Sequence, residues 1–192
     1  IGNYSENKEY LFGGVFDGDG HTVKGLYILS NKEYQGLFGY LKGVIKNLSV
    51  DGVVAGQGLC GLVCGRMITN AEIVNCTAFG RVESNVKGYS TQAYYGGIVG
   101  RGYTVYNCTN YSDVNNGYDS GIIGGIAGTL DGKINNSKNY GDVINTGKYG
   151  YAGGIVGDGT VGSIFNSINK GKVSAVNIVG GIVGYHRGLY TY

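Results

Sequence analysis

Short apolar runs framed by glycine return along the chain at near-regular intervals. The block occurs six times, as Gln35-Gly36-Leu37-Phe38-Gly39, Gly61-Leu62-Val63-Cys64-Gly65, Gly96-Gly97-Ile98-Val99-Gly100, Gly124-Gly125-Ile126-Ala127-Gly128, Gly153-Gly154-Ile155-Val156-Gly157 and Gly180-Gly181-Ile182-Val183-Gly184. Its last glycines are separated by 26, 35, 28, 29 and 27 residues. A second block follows each of the first five and reads apolar-x-Asn-x4-small-x-Val. It opens at Ile45, Ile73, Val105, Ile134 and Ile164 and carries Asn47, Asn75, Asn107, Asn136 and Asn166. The small residues are Gly52, Gly80, Ser112, Gly141 and Gly171, and the closing valines are Val54, Val82, Val114, Val143 and Val173. Spacing inside this block never varies, so length variation is confined to the links.

The apolar residues are short and mostly β-branched, in runs too brief for an amphipathic helix. A glycine inside a helix costs about 1 kcal/mol, and every block has several. These are signals of short strands with tight corners. A repeat of roughly 29 residues that cannot bury its own apolar face folds by stacking on its neighbours. The pattern predicts an all-β, right-handed parallel β-helix of about six to seven coils, spaced ~4.8 Å apart. Stacking turns repeat positions into columns. Three should point inward: Leu37, Val63, Ile98, Ile126, Ile155, Ile182; then Ile45, Ile73, Val105, Ile134, Ile164; then Val54, Val82, Val114, Val143, Val173. Three apolar columns imply a three-sided coil with a dry interior. The asparagines fit a corner with left-handed backbone, and are expected to be buried and to bond along the stack.

Composition sharpens this picture. Of 192 residues, 39 are glycine and none is proline, so collagen is excluded. With 42% apolar and 15% charged residues, disorder is excluded too. A net charge of +2 points to neither nucleic acid nor a membrane surface as partner, and no apolar run is long enough for membrane insertion. The whole chain, 1–192, reads as a single β-solenoid domain. Residues 1–34 form an opening coil, 35–184 the repeats and 185–192 an incomplete last coil. Both ends break the pattern abruptly, so the chain is expected to be a fragment of a longer secreted protein, with further domains of the parent chain as neighbours.

The blocks resemble the GLUG repeat, whose literal form is Gly36-Leu37-Phe38-Gly39. The stretch Phe12-Gly13-Gly14-Val15-Phe16-Asp17-Gly18-Asp19-Gly20-His21-Thr22-Val23-Lys24-Gly25-Leu26 is similar to the opening coil that often precedes such repeats. The resemblance covers about residues 10 to 190. It departs at Leu62, where a glycine is usual, and at Ser112. It implies a right-handed β-helix in large secreted or surface-anchored bacterial proteins, many regarded as adhesins. Similar repeats precede the catalytic domain of some immunoglobulin-A-cleaving metalloproteases. No catalytic residues, metal or cofactor come with the resemblance.

Candidate chemistry is sparse. Asp17-Gly-Asp19-Gly-His21 is the densest polar cluster and reads as a solvent-facing turn rather than a metal loop. Asp113 and Asp142 share a repeat offset with Arg81 and Lys172, which reads as a mixed-charge surface ladder rather than an acid pair. No nucleophile–base or metal motif occurs, and no cofactor is expected. His21 and His186 lie at opposite ends of the rod. Cys60, Cys64, Cys76 and Cys108 are expected as free buried thiols; a stacked Cys76–Cys108 disulfide and zinc are the alternatives. The 18 tyrosines are the best contact residues. Tyr103, Tyr111 and Tyr140 are singled out for binding, near the links at 83–95 and 115–120. The expected function is therefore non-catalytic: an extracellular or cell-surface adhesin or stalk that binds a glycan or a host-surface protein. A polysaccharide-processing β-helix enzyme and a spacer of a secreted protease are the alternatives. An enzyme would need two or three acids converging on one groove.

Overall fold

The computed structural model describes residues 1, 3–5, 8–85, 93–159 and 161–186. Its strands are stacked as successive parallel coils, about six turns in all, and no helix occurs among the described residues. Three parallel sheets of ten, nine and six strands make the three faces. In one complete coil the chain passes through Val99–Tyr106 in the ten-stranded sheet. It then turns at Asn107, runs along the nine-stranded sheet as Thr109–Asn110 and Asp113–Asn116, and reaches the six-stranded sheet as Gly121–Gly124. The exception to the parallel order is an antiparallel pair, Asn3–Ser5 with Lys8–Tyr10, ahead of the first coil.

The register follows the repeat. Phe38 pairs with Cys64, Cys64 with Val99, Val99 with Ala127, Ala127 with Val156 and Val156 with Val183. The predicted columns stack as read. Val63, Ile98, Ile126 and Ile155 are fully buried, as are Ile45, Ile73, Val105 and Ile134 and the valines Val54, Val82, Val114 and Val143. Each such side chain contributes about 1.5–3 kcal/mol of burial. Burial fails at the rod's ends. Leu37, Ile164 and Val173 are half-buried and Ile182 is 40% exposed, because no further coil among the described residues covers them.

Two glycine positions set the shape. The last glycine of each block faces the six-stranded sheet: a Cβ on Gly100 would lie 2.5 Å from the Cys60 amide nitrogen, and one on Gly128 2.6 Å from that of Tyr95. Only glycine lets the two sheets close on each other there. The second position concerns asparagines that the repeat pattern did not single out. Asn110 and Asn139 are fully buried inside the coil, three residues beyond the corner asparagines. Asn110 Nδ2 donates to Asn139 Oδ1 at 2.8 Å, and Asn139 Nδ2 donates to Asn169 Oδ1 at 2.9 Å. A Cβ on Gly97 or Gly125 would fall 2.3 Å from the Asn110 or Asn139 side-chain carbon, respectively. In the coil that carries Leu62 the inner asparagine's place is taken by Ala78, and both are fully buried. Leu62 is thus a compensated exchange.

The corner asparagines differ from expectation in one respect. All five adopt left-handed backbone, with φ of 55° at Asn47, 53° at Asn75 and Asn107, 50° at Asn136 and 45° at Asn166. They also bond along the stack: Asn136 donates to Asn107 at 3.0 Å, Asn107 to Asn75 at 2.7 Å, Asn75 to Asn47 at 3.1 Å and Asn47 to Asp17 at 3.0 Å. Yet Asn75, Asn107, Asn136 and Asn166 are exposed, not buried. The left-handed residue turns its side chain outward, and the apolar neighbours Cys76 and Cys108 fill the interior instead. Every amide in this row donates toward the first coil, so the row needs an acceptor at its end. Asp17, whose ionised carboxylate only accepts, supplies it.

Candidate functional site

The sheet junction created by the block glycines carries the most concentrated polar chemistry among the described residues. Tyr34, Tyr94 and Tyr151 line it from the six-stranded sheet, paired through Leu59, Ile122 and Ile178. Facing them on the ten-stranded sheet, a row runs Tyr40, Arg66, Arg101, Thr129, Asp158, Tyr185. At one end Arg66 lies against the rings of Tyr34 and Tyr40, at 5.5 and 5.1 Å, and donates to the Tyr34 hydroxyl at 3.0 Å. At the other end the Tyr151 and Tyr185 rings stack at 4.8 Å.

Between these ends is a cleft of ≈ 180 Å³, lined by Tyr94, Arg101, Thr129, Leu130, Asp131, Asp158 and Val161. Arg101 Nε holds Asp131 Oδ2 at 2.6 Å, which raises the guanidinium further above its ordinary value. Burial, and next the charge of Asp158, push the Tyr94 phenol up. None of these residues stands out in the sequence. Asp131 and Asp158 are 27 positions apart but one coil apart in space. The signal was the constant register, which puts Arg101, Thr129 and Asp158 in one row.

The three tyrosines chosen from sequence do not form one site. Tyr111 and Tyr140 stack at 5.0 Å with planes 10° apart, and Phe79 stacks on Tyr111 at 5.2 Å and 3°. Lys170 Nζ lies 5.5 Å from the Tyr140 ring centre. The rings are 38%, 48% and 37% exposed at Phe79, Tyr111 and Tyr140. Both faces of Tyr111 are covered by neighbouring rings, so it offers an edge to solvent, not a face on which a sugar could stack. Tyr103 lies on the ten-stranded sheet, half-buried against the core, in a shallow groove with Asn70, Glu72, Thr104, Gly132 and Lys133.

The other candidates resolve into structure. Asp17 accepts from Asn47 and from the Asp19 amide and pairs with Lys46 at 3.0 Å; these bonds, led by Asn47, lower its carboxyl to about 2. Asp113 accepts from the Asp142 amide at 3.0 Å, and Asp142 from the Lys172 amide at 2.9 Å, so each ties one coil to the next. All four cysteines are buried free thiols. No group of three or more histidine, cysteine or carboxylate side chains able to hold a metal occurs among the described residues. The link at 83–95 lies partly outside the described residues. The link at 115–120 is pinned by Asn116, which donates to the Tyr118 carbonyl at 2.6 Å.

No protein-family model matches the sequence, and no curated protein matches it. Solved structures do. A crystal structure from Bacteroides ovatus, assigned by name to the immunoglobulin A1 proteases, superposes with a TM-score of 0.68 at 24% identity, over 94% of this chain and 58% of that one. A second, named IgA1 Protease, gives 0.62 at 24% identity, over 87% of this chain and 14% of the other. The chain thus spans less than two thirds of either. At this identity the likeness is one of fold.

Proposed function

We propose that this chain is a non-catalytic spacer and presentation module of a secreted or surface-exposed bacterial protein. The observation that carries the reading is where the recurring residues go. Aliphatic columns, inner and outer asparagine rows, acid-to-amide ties and the ring stack are all spent on holding coil to coil. A solenoid built in this way is stiff along its axis and sets a fixed distance between what lies at its ends. The likeness in fold to two structures named as immunoglobulin A1 proteases supports a place beside a protease unit. The GLUG-like blocks support the same setting, and leave room for an adhesive role on the lateral faces.

The enzyme alternative now has a specific place to stand, the cleft that holds Asp131 and Asp158. Against it, Asp131 Oδ2 is already occupied by Arg101 Nε at 2.6 Å, in an ion pair that holds one coil to the next. The test is to incubate the purified chain with immunoglobulin A1 and with neutral and acidic polysaccharides. No product is expected from any of them. Reproducible product release that is abolished by Asp131→Asn or Asp158→Asn would overturn the non-catalytic reading.

A further inference from the structure

Beyond spacing, we propose that the cleft between Tyr94, Arg101, Asp131 and Asp158 binds a neutral pyranose unit of a glycan chain. The cleft, at ≈ 180 Å³, has room for about one sugar ring. Its lining has two kinds of surface. Tyr94, Leu130 and Val161 give an aromatic and aliphatic wall, suited to the C–H face of a pyranose. Arg101 Nε spends its one hydrogen on Asp131 Oδ2 at 2.6 Å, which leaves the guanidinium Nη donors and the second Asp131 oxygen as the groups for ring hydroxyls. Both are partly exposed, at 40% and 31% of their side chains, so their remaining donors and acceptors are open to a ligand. Thr129 and Asp158 follow Arg101 in register and continue this polar edge across three coils.

Charge selects among sugars. One guanidinium against two carboxylates leaves the cleft one negative charge in excess (1 − 2 = −1). A uronate or sialate carboxylate would meet that excess, whereas a neutral ring would not. Orientation follows from the rod. The junction extends along its axis, with the Tyr151–Tyr185 pair beyond Asp158. A longer glycan would run parallel to the axis, its next residue passing over those rings. The ring stack of Phe79, Tyr111 and Tyr140 lies on the nine-stranded sheet and plays no part in this cleft.

This proposal is independent of the spacer reading and is tested separately. The intact chain, labelled with ¹⁵N, is titrated with cello-, manno- and galacto-tetraose and with oligogalacturonate. At least one neutral tetraose is expected to shift the amides of Tyr94, Arg101, Thr129 and Asp158, with saturation in the millimolar range or tighter. Oligogalacturonate should not. Asp158→Asn and the charge-preserving Arg101→Lys should each weaken binding at least about tenfold, with the rest of the spectrum unchanged. Tyr140→Ala should leave binding intact. Absence of shifts with all three neutral tetraoses would overturn the proposal. So would shifts centred elsewhere, binding of oligogalacturonate at the same site, or binding indifferent to both cleft substitutions.

Discussion

A double-mutant cycle at Gly97 and Asn110 probes the idea that the inner asparagine row and the block glycines are one device. Asn110 accepts from the Ser112 amide at 3.0 Å, donates to the Ser112 carbonyl at 2.8 Å and donates to Asn139 at 2.8 Å, all within the buried interior. Asn110→Ala would strand these three groups. At about 1–3 kcal/mol for each unsatisfied buried group, partly relieved by relaxation, the expected loss is about 2–4 kcal/mol. Gly97→Ala alone places a methyl 2.3 Å from the Asn110 amide carbon, which its bonds to Ser112 and to Asn139 hold in place. Overpacking of this kind costs about 1–3 kcal/mol, with the broken ladder in addition. In the double variant the methyl enters the space the amide has left, as Leu62 does beside Ala78. The added cost of Gly97→Ala should then fall below about 1 kcal/mol, a coupling of about 2 kcal/mol. Urea unfolding followed by circular dichroism measures all four corners. Additivity within about 0.5 kcal/mol would refute the argument.

Four further outcomes follow from the same geometry. Ile126→Asp puts an unpaired charge in a fully buried column and should abolish the cooperative transition; an unchanged thermal midpoint would remove Ile126 from the core. Tyr111→Ala removes two ring stacks and should cost about 1–3 kcal/mol, read as a lowered thermal midpoint, whereas an unchanged midpoint would mean the stack adds nothing. Asp17 has a carboxyl depressed from 3.8 to about 2, so its contribution is complete above about pH 4 and is lost as the pH falls through about 2. Carbon-detected titration should place its midpoint near 2, and a midpoint near 4 would mean the asparagine row does not end there. Burial pushes the Cys60 and Cys64 thiols well above their ordinary range, so thiol reagents should modify them only on unfolding.

The repeat arithmetic predicted the coil, its three sides and its inward columns, because stacking forces every repeat to solve the same packing problem. The corner asparagines were legible for the same reason, including their left-handed turn. Their exposure was not, since periodicity reports that a position is special without saying which side of the backbone it faces. The inner row of Asn110, Asn139 and Asn169 was missed because only three coils carry it. The cleft was harder still. Arg101, Asp131 and Asp158 all lie on the ten-stranded sheet and meet through its register, but their row changes residue type from coil to coil, as Arg66, Arg101, Thr129, Asp158 and Tyr185, so no repeated residue marks it. Tyr111 and Tyr140 share a repeat offset and stack, but Tyr103 sits on another face, which a shared residue type could not reveal.

The claim beneath the spacer reading is that the rod is stiff and in register from its first coil to its sixth. Lys24 and Lys170 occupy one outward row, through Asp51, Phe79, Tyr111 and Tyr140, at five coil intervals. Spin labels on cysteines at these two sites, with the four native thiols buried, give the distance by pulsed electron resonance. At ~4.8 Å per coil the account predicts one narrow distribution near ~24 Å. A broad distribution, or one centred well away from that value, would contradict it.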